Sequence, residues 1–254
     1  MFACPNPLHI DKPITTTTFT HDSPAILALK VTNPSLQPAP HDSVREVRIL
    51  RQRANHSNII PLMTHFYDKG DLTLVFPHLP KALNIILRET KTILSSDRKR
   101  SILRDVMRGL DYIHSQGIIH RDMKPSNILF TSSGAAQIID FGTAWSTTDA
   151  ASEPANQKVL DVGTTSYRAP ELLFGDQSYG YSLDMWAAGC VAAEVLVSAE
   201  ARGRKGDDER SLFVSGDLGS ELRLIKSIFE TLGTPDENSW PVSWRCSCRP
   251  REFY

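Results

Sequence analysis

Lys30 closes the apolar run Ala25-Ile26-Leu27-Ala28-Leu29, at a point where a strand would be expected to stay apolar. A lysine among such neighbours is costly unless an anion meets it, so Lys30 implies a carboxylate or phosphate partner. Farther along, HRDMKPSN at His120–Asn127 and the tripeptide Asp140-Phe141-Gly142 gather carboxylates, an amide and a second lysine. Taken singly, Asp122, Asn127 and Asp140 have a plainer use as turn formers, whose short polar side chains bond nearby backbone. Ser43-x-x-Glu46 likewise fits a capping box, with Glu46 satisfying a backbone N–H at a helix start. The four cysteines offer less: Cys4 and Cys190 stand alone, and Cys246-x-Cys248 lacks a second ligand pair. A zinc site takes about four ligands, so reduced thiols are expected and no zinc site.

The elements that must carry these residues can be read from periodicity and punctuation. Residues up to about position 35 read as strands, ITTTTF and then AILALKV, broken by Pro13, Pro24 and Pro34. After the loop NPSLQPAPHDS, a helix is predicted from Asp42 or Ser43, with Val44, Val47, Ile49 and Leu50 as its apolar side. NIIPLMTHFYD and DLTLVF read as two further strands joined by a turn at Lys69-Gly70-Asp71. Beyond Pro77 and Pro80 the pattern becomes helical. Ser96 is predicted to cap a long helix with the stripe Ile102, Leu103, Val106, Met107, Leu110 and Ile113, ending at Gly117. NILF and AQIID are short strand candidates. Ser182–Leu196 is apolar on nearly every face, which places it at the centre of a lobe, and AEARGRKGDDER at 199–210 reads as a charged loop.

Bulk properties narrow the function classes. A net charge of −1 argues against a dedicated nucleic-acid surface, which would be basic. The start MFACPNPLHI has neither a basic n-region nor an apolar h-region, so no secretion signal is expected, and no apolar run approaches a membrane span. The chain has no G-x-x-x-x-G-K-[ST], which excludes a P-loop NTPase.

Four motifs occur in order: H-R-D-x-K-x-x-N at 120–127, D-F-G at 140–142, A-P-E at Ala169–Glu171 and D-x-W-x-x-G at Asp184–Gly189. Together they resemble the eukaryotic protein kinases, from about Ala25 to Pro241. The resemblance implies an α+β, bilobal protein-kinase fold. A small β-rich N-lobe with one main helix spans 1–76, a hinge 77–80 and a larger, mostly helical C-lobe 81–241, with a divergent tail at 242–254. It implies phosphoryl transfer from ATP with Mg²⁺, a chemistry of positioning and charge neutralisation. Asp122 would orient the acceptor hydroxyl and take its proton, and Lys124 would offset charge at the γ-phosphate. Asn127 and Asp140 would hold Mg²⁺ through hard oxygen ligands. Lys30 would reach the α- and β-phosphates and pair with Glu46. Ala28, Phe76, Leu79 and Leu129 fall to the nucleotide pocket, Phe76 at its back and Pro77-His78-Leu79 as hinge. His120 is expected to be a core residue, Leu50 to pack toward Phe141, and Asp184 to bond catalytic-loop backbone.

Lys124 marks the serine/threonine pattern, and YRAPELLFG, DMWAAGC and IFETLGTPDENSWP resemble the cyclin-dependent kinase branch. ELLFG with the following YG and DMWA is similar to kinases that activate other cyclin-dependent kinases, including their single-subunit fungal type. The expected substrate is therefore a protein, with a cyclin-dependent kinase as the specific candidate. The expected state is an intracellular monomer in nucleus or cytoplasm, without membrane or nucleic-acid partner. Three departures stand out. Val159 occupies the position of the branch's phosphorylated threonine; of the arginines that clamp its phosphate, Arg45 and Arg121 are present and Trp145 replaces the third. The helix also lacks the cyclin-recognition sequence, which argues against a cyclin. No G-x-G-x-x-G precedes Lys30, where LHIDKPITTTT stands, and VSWRCSCRPREFY after Pro241 is unlike the family, whose final helices are expected to be missing. These departures motivate the alternative of a pseudokinase, a non-catalytic binding module.

Overall fold

The computed structural model describes residues 2–4, 26–52, 55–89, 94–197, 211–215 and 220–236. The ITTTTF strand, the position of the absent glycine loop, the 199–210 loop, the tail and Cys246 and Cys248 lie outside them. The first sheet has four antiparallel strands in the order β1-β2-β4-β3: Phe2–Cys4 (β1), Leu27–Thr32 (β2), Thr64–Asp68 (β3) and Asp71–Pro77 (β4). The pairing of β1 with β2 is a strand that the sequence reading does not contain. Lys69 and Gly70 both take positive φ between the paired Asp68 and Asp71, the geometry of a tight two-residue hairpin. The strand expected over NIIPLMTHFYD is shorter, beginning only at Thr64. Ile59 instead makes an isolated bridge to Ile138, so this stretch leaves the first sheet for the other half of the molecule.

Helix α1 covers Ser43–Gln52 and buries Val47, Ile49 and Leu50. Its start is capped by Asp42, whose Oδ1 accepts the Arg45 N–H at 2.8 Å. The capping box that Ser43-x-x-Glu46 also fits does not form, because Glu46 turns inward to Lys30, the pairing that the resemblance implied. After the short β5 (Lys81–Ala82) and α2 (Leu83–Arg88), the long α3 runs Ser96–Ser115. Ser95, one residue ahead of the expected Ser96, caps it by accepting the Arg98 N–H. Ile102, Val106, Leu110 and Ile113 face the core, whereas Met107 is 42% exposed. Gly117 follows the helix with φ +76, the left-handed turn that a Cβ disfavours.

Two small antiparallel sheets sit beyond α3. Ile128–Phe130 (β7) lies between β5 and Ala136–Ile138 (β8), and Ile118–Ile119 (β6) pairs with Trp145–Ser146 (β9). A four-residue helix, Pro170–Leu173 (α4), precedes Ser182–Leu196 (α5), and Glu221–Leu232 (α6) is the last described helix. Helix α5 buries Leu183, Ala187, Val191 and Val195, but Met185 and Leu196 are exposed, so it has a solvent face despite its apolar sequence. The fold is thus α+β, with an antiparallel sheet and one helix followed by a mainly helical part. One apolar cluster runs through both, from Ala28, Leu50 and Phe76 to Ile128, Phe141 and Val191. No described helix is long and apolar enough to cross a membrane.

Candidate active site

Lys30 sits near the middle of β2, opposite Leu74 of β4. Its ammonium meets two carboxylates: Glu46 Oε2 at 2.7 Å and Asp140 Oδ1 at 2.6 Å. Burial disfavours the ammonium, but the charges and hydrogen bonds of both carboxylates outweigh it and hold the Lys30 pKa above the usual lysine value. Glu46 is 1% exposed; burial pushes its carboxyl up, against the pull of Lys30. Its second oxygen accepts the Phe141 N–H at 3.1 Å, so one side chain of α1 touches both the strand lysine and D-F-G. Asp140 differs: burial would raise it, but Lys30 draws it below the usual carboxylate range, and its side chain stays 44% exposed.

The neighbouring loop is fixed from beneath. Asp184 of α5, fully buried, accepts the backbone N–H of His120 at 2.8 Å and of Arg121 at 2.9 Å. It also bonds the His114 ring at 2.8 Å. These bonds support Arg121 at φ +69, a conformation that costs a non-glycine residue about 1–2 kcal/mol. Asp140, at φ +65, shares that strain. His120 is buried, its ring edge-on to Phe141 at 4.9 Å and bonded to the Ile139 carbonyl at 2.9 Å. Phe141 is wholly buried in the core cluster that also holds Leu50.

Asp122, Lys124 and Asn127 come together in this loop, with Asn127 buried. Lys124 Nζ lies 2.8 Å from Asp122 Oδ2, and Asn127 Nδ2 donates to the Asp122 carbonyl at 2.8 Å and to Oδ2 at 3.1 Å. Thr164, which spacing alone does not single out, joins them. Its hydroxyl donates to Asp122 Oδ1 at 2.8 Å and accepts from Lys124 at 2.7 Å. The Ile139 N–H donates to the Asn127 carbonyl at 3.0 Å, which sets Asn127 beside the residue that precedes Asp140. Ala28 and Phe76 are cross-strand partners; with Leu129 and Leu79 they belong to or pack against the main core.

The model of the protein kinase domain matches residues 15–231 of this chain. The chain belongs to the protein kinase family. Among this kinase's relatives, cyclin-dependent kinase 7 of Xenopus laevis is 38% identical over 78% of this chain and 51% of that protein. Cyclin-dependent kinase D-1 of Arabidopsis thaliana is 34% identical over 78% of this chain and 45% of that protein. The chain spans about half the length of the curated relatives it matches. Among solved structures, the yeast RNA Pol II CTD kinase CTDK-1 complex matches at a TM-score of 0.72 and 27% identity, covering 88% of this chain and 67% of that one.

The donor set of this site fits Mg²⁺ and a nucleotide. Asp140 and Asn127 offer hard oxygens from adjacent elements, and Mg²⁺ characteristically takes one or two protein oxygens with water and phosphate completing its shell. Lys30 presents a fixed cation beside them. A Cβ on Gly142 would stand 3.3 Å from Asp140 Oδ1 and 3.5 Å from both Glu46 Oε2 and Lys30 Nζ, so glycine leaves the ion triad room. Glu171 of A-P-E is half-buried, and its Oε1 accepts from Ser182 at 3.0 Å. At Trp145, which stands where the third arginine was expected, Lys158 places its ammonium 4.7 Å from the ring centre.

Proposed function

We propose that this kinase transfers the γ-phosphoryl group of ATP to serine or threonine hydroxyls of a protein substrate. The observation that carries the reading is Lys30 held between Glu46 and Asp140, which ties β2, α1 and D-F-G into one charge-balanced unit. Mg²⁺-ATP supplies the phosphoryl group and a cation that offsets charge on its oxygens. Lys30 orients the α- and β-phosphates while Glu46 keeps its ammonium from collapsing onto Asp140 alone. Asp140 and Asn127 serve as metal ligands. Asp122 orients the attacking hydroxyl and accepts its proton, a role that needs an ionised carboxylate within hydrogen-bond reach. Lys124 offsets charge at the transferred group, and Thr164 fixes Asp122 and Lys124 in register. Ala28, Phe76, Leu79 and Leu129 form the apolar walls for adenine.

In this reading residues 1–76 are the N-lobe, 77–80 the hinge and 81–241 the C-lobe. The names of the relatives support a cyclin-dependent-kinase-like substrate range, and the ELLFG segment supports another cyclin-dependent kinase, carrying its activation-segment threonine, as the specific substrate. Those names and the solved kinase complex support a protein partner such as a cyclin; the sequence of α1 supports a monomer that acts alone. An intracellular place of action, in nucleus or cytoplasm, belongs to the same proposal. Nothing in the described geometry favours the non-catalytic alternative, since every side chain that the chemistry needs is present and paired.

The test is phosphate transfer from Mg²⁺-ATP to such a kinase substrate, by the full chain with and without an added cyclin. Asp140→Asn and Lys30→Ala serve as controls. Turnover by the wild type that is lost in both variants is expected. Folded wild-type protein without turnover under either condition overturns the reading.

A further inference from the structure

Three cations are buried where α1, the loop ahead of Asp122 and the segment after D-F-G meet. Arg45 of α1 is 3% exposed, Arg121 1% and Lys158 3%. Buried like charges require an anion among them. Glu153 is the one that bonds Arg121. Its Oε1 accepts from Arg121 Nη1 at 3.1 Å; its charge also acts on Arg45, after that of Asp42, and on Lys158, after that of Asp176. Its backbone is held as well, since Trp145 Nε1 donates to the Glu153 carbonyl at 2.8 Å. Lys158 lies over the ring of that same Trp145 and donates to the Tyr179 carbonyl at 2.8 Å, while Tyr179 Oη meets Arg121 Nη1 at 3.1 Å.

Two of the three cations stand next to active-site residues. Arg45 precedes Glu46 on α1 and reaches the Ala151 carbonyl at 3.5 Å. Arg121 precedes Asp122, and its Nε donates to the carbonyl of Thr143, the residue after D-F-G. Arg45 Nε, Arg121 Nη2 and Glu153 Oε2 are buried with no hydrogen-bond partner among the described residues. The junction therefore holds spare donors and a spare acceptor in addition to the bonds it makes.

We propose that Glu153 is a positioning residue: its carboxylate pairs with Arg121 while the Ala151 carbonyl, two residues earlier, meets Arg45, so that this segment fastens the helix that carries Glu46 to the loop that carries Asp122. The charge is encoded in the sequence, so the arrangement works with valine at position 159 and needs no covalent modification there. A structural ion pair alone would add stability evenly; a positioning group acts on the segments it joins. The catalytic consequence rests on the kinase reading above, whereas the fastening does not.

Hydrogen exchange read by mass spectrometry separates the two. Wild type, Glu153→Gln and Glu153→Asp are compared over peptides covering 43–52, 118–123 and 143–153, with α6 as internal reference. In Glu153→Gln the three segments are expected to exchange about tenfold faster, with α6 unchanged and Glu153→Asp intermediate. Wild-type exchange rates in Glu153→Gln, or acceleration spread equally into α6, overturn the proposal. If Glu153→Gln fails to fold, Glu153→Asp, which keeps the charge on a shorter arm, is judged by the same criterion against wild type. Turnover on a cyclin-dependent kinase substrate supplies the second arm: kcat is expected to fall about tenfold in Glu153→Gln while the KM for ATP holds within about twofold. Wild type without turnover would sink the kinase reading and leave the exchange result to decide the role of Glu153.

Discussion

Lys30 and Glu46 show how one buried pair dictates the behaviour of its neighbours. With Lys30 replaced by Met, Glu46 is left 1% exposed and without its cation. Breaking such a pair costs about 3–5 kcal/mol, so the urea midpoint at pH 7 should fall well below that of wild type. The loss should also become pH-dependent. A carboxyl whose folded pKa lies above its unfolded value favours the folded state fully below the unfolded value and loses that advantage as pH rises through the folded value. Lys30→Met should therefore recover stability on acidification toward pH 5, and equal losses at pH 5 and 7 would count against the burial argument. Thr164 is a contrasting case at the same scale. Its hydroxyl bridges Asp122 and Lys124 from the protein surface. Thr164→Ala should leave the melting temperature near wild type and lower kcat about tenfold, with Thr164→Ser largely restoring it. A steady-state comparison of the three proteins checks this.

Helix α1 depends on what grips its other faces. Arg48 forms a two-pronged bond with Asp149, Nε to Oδ2 at 2.7 Å and Nη2 to Oδ1 at 3.0 Å. The N–H of Asp42, its cap, donates to the Gly142 carbonyl at 2.8 Å. Hydrogen bonding from Arg48 and the Ala151 N–H overcomes burial and holds Asp149 below the usual carboxylate range. The pair is therefore present above the ordinary aspartate pKa and is lost as pH falls through the lowered one. Arg48→Ala and Asp149→Ala should each loosen α1, and the charge-reversed double variant Arg48→Asp with Asp149→Arg should recover part of that loss. Exchange protection across 43–52 is the readout, and a double variant no better than the sum of the singles would refute the coupling. Elsewhere, α3 meets β8 through Gly109. A Cβ there would lie 2.8 Å from Ile138 Cδ1 and 3.1 Å from the Asn58 carbonyl. Gly109→Ala should be destabilising by about 1–3 kcal/mol in a denaturant titration, and Ile138→Val should relieve part of it.

Over the whole molecule, stability should carry a pH signature from Glu194. Burial pushes its carboxyl up to about 7, against the hydrogen bond that Tyr167 donates to it at 2.7 Å. Cys190 nearby, its thiol pushed up to about 12, stays neutral through this range. The folded state then binds a proton that the unfolded chain releases near 4.5, so stability should decline between about pH 4.5 and 7. Glu194→Gln keeps the acceptor for Tyr167 and should flatten that decline by no more than about 3 kcal/mol. Thermal melts of both proteins across this interval make the comparison, and parallel curves would rule out the assignment. The same feature ties α5 to the turn at Tyr167, two residues before A-P-E, so this titration acts on the large helical part as a unit.

The linear order of motifs already determined the kinase fold, the main helix and the identity of the charged residues at its centre. Those signals are local: a lysine in an apolar strand, short polar side chains packed into one loop, an apolar stripe ending at glycine. The pairing of Lys30 with Glu46 was also legible, as what the resemblance to the protein kinases implies for a strand lysine and a helix glutamate. The sequence could not show that Asp42, rather than Ser43, caps α1, since either residue can accept the N–H and only the inward turn of Glu46 decides. It could not show Thr164 between Asp122 and Lys124, or Lys158 over Trp145. Those contacts join residues whose separation follows no helical or strand period, and they exist only once the segment after D-F-G has folded back. Glu153 is the clearest case: in sequence it is one acidic residue in a polar stretch, and the three buried cations that give it meaning come from three separate parts of the fold.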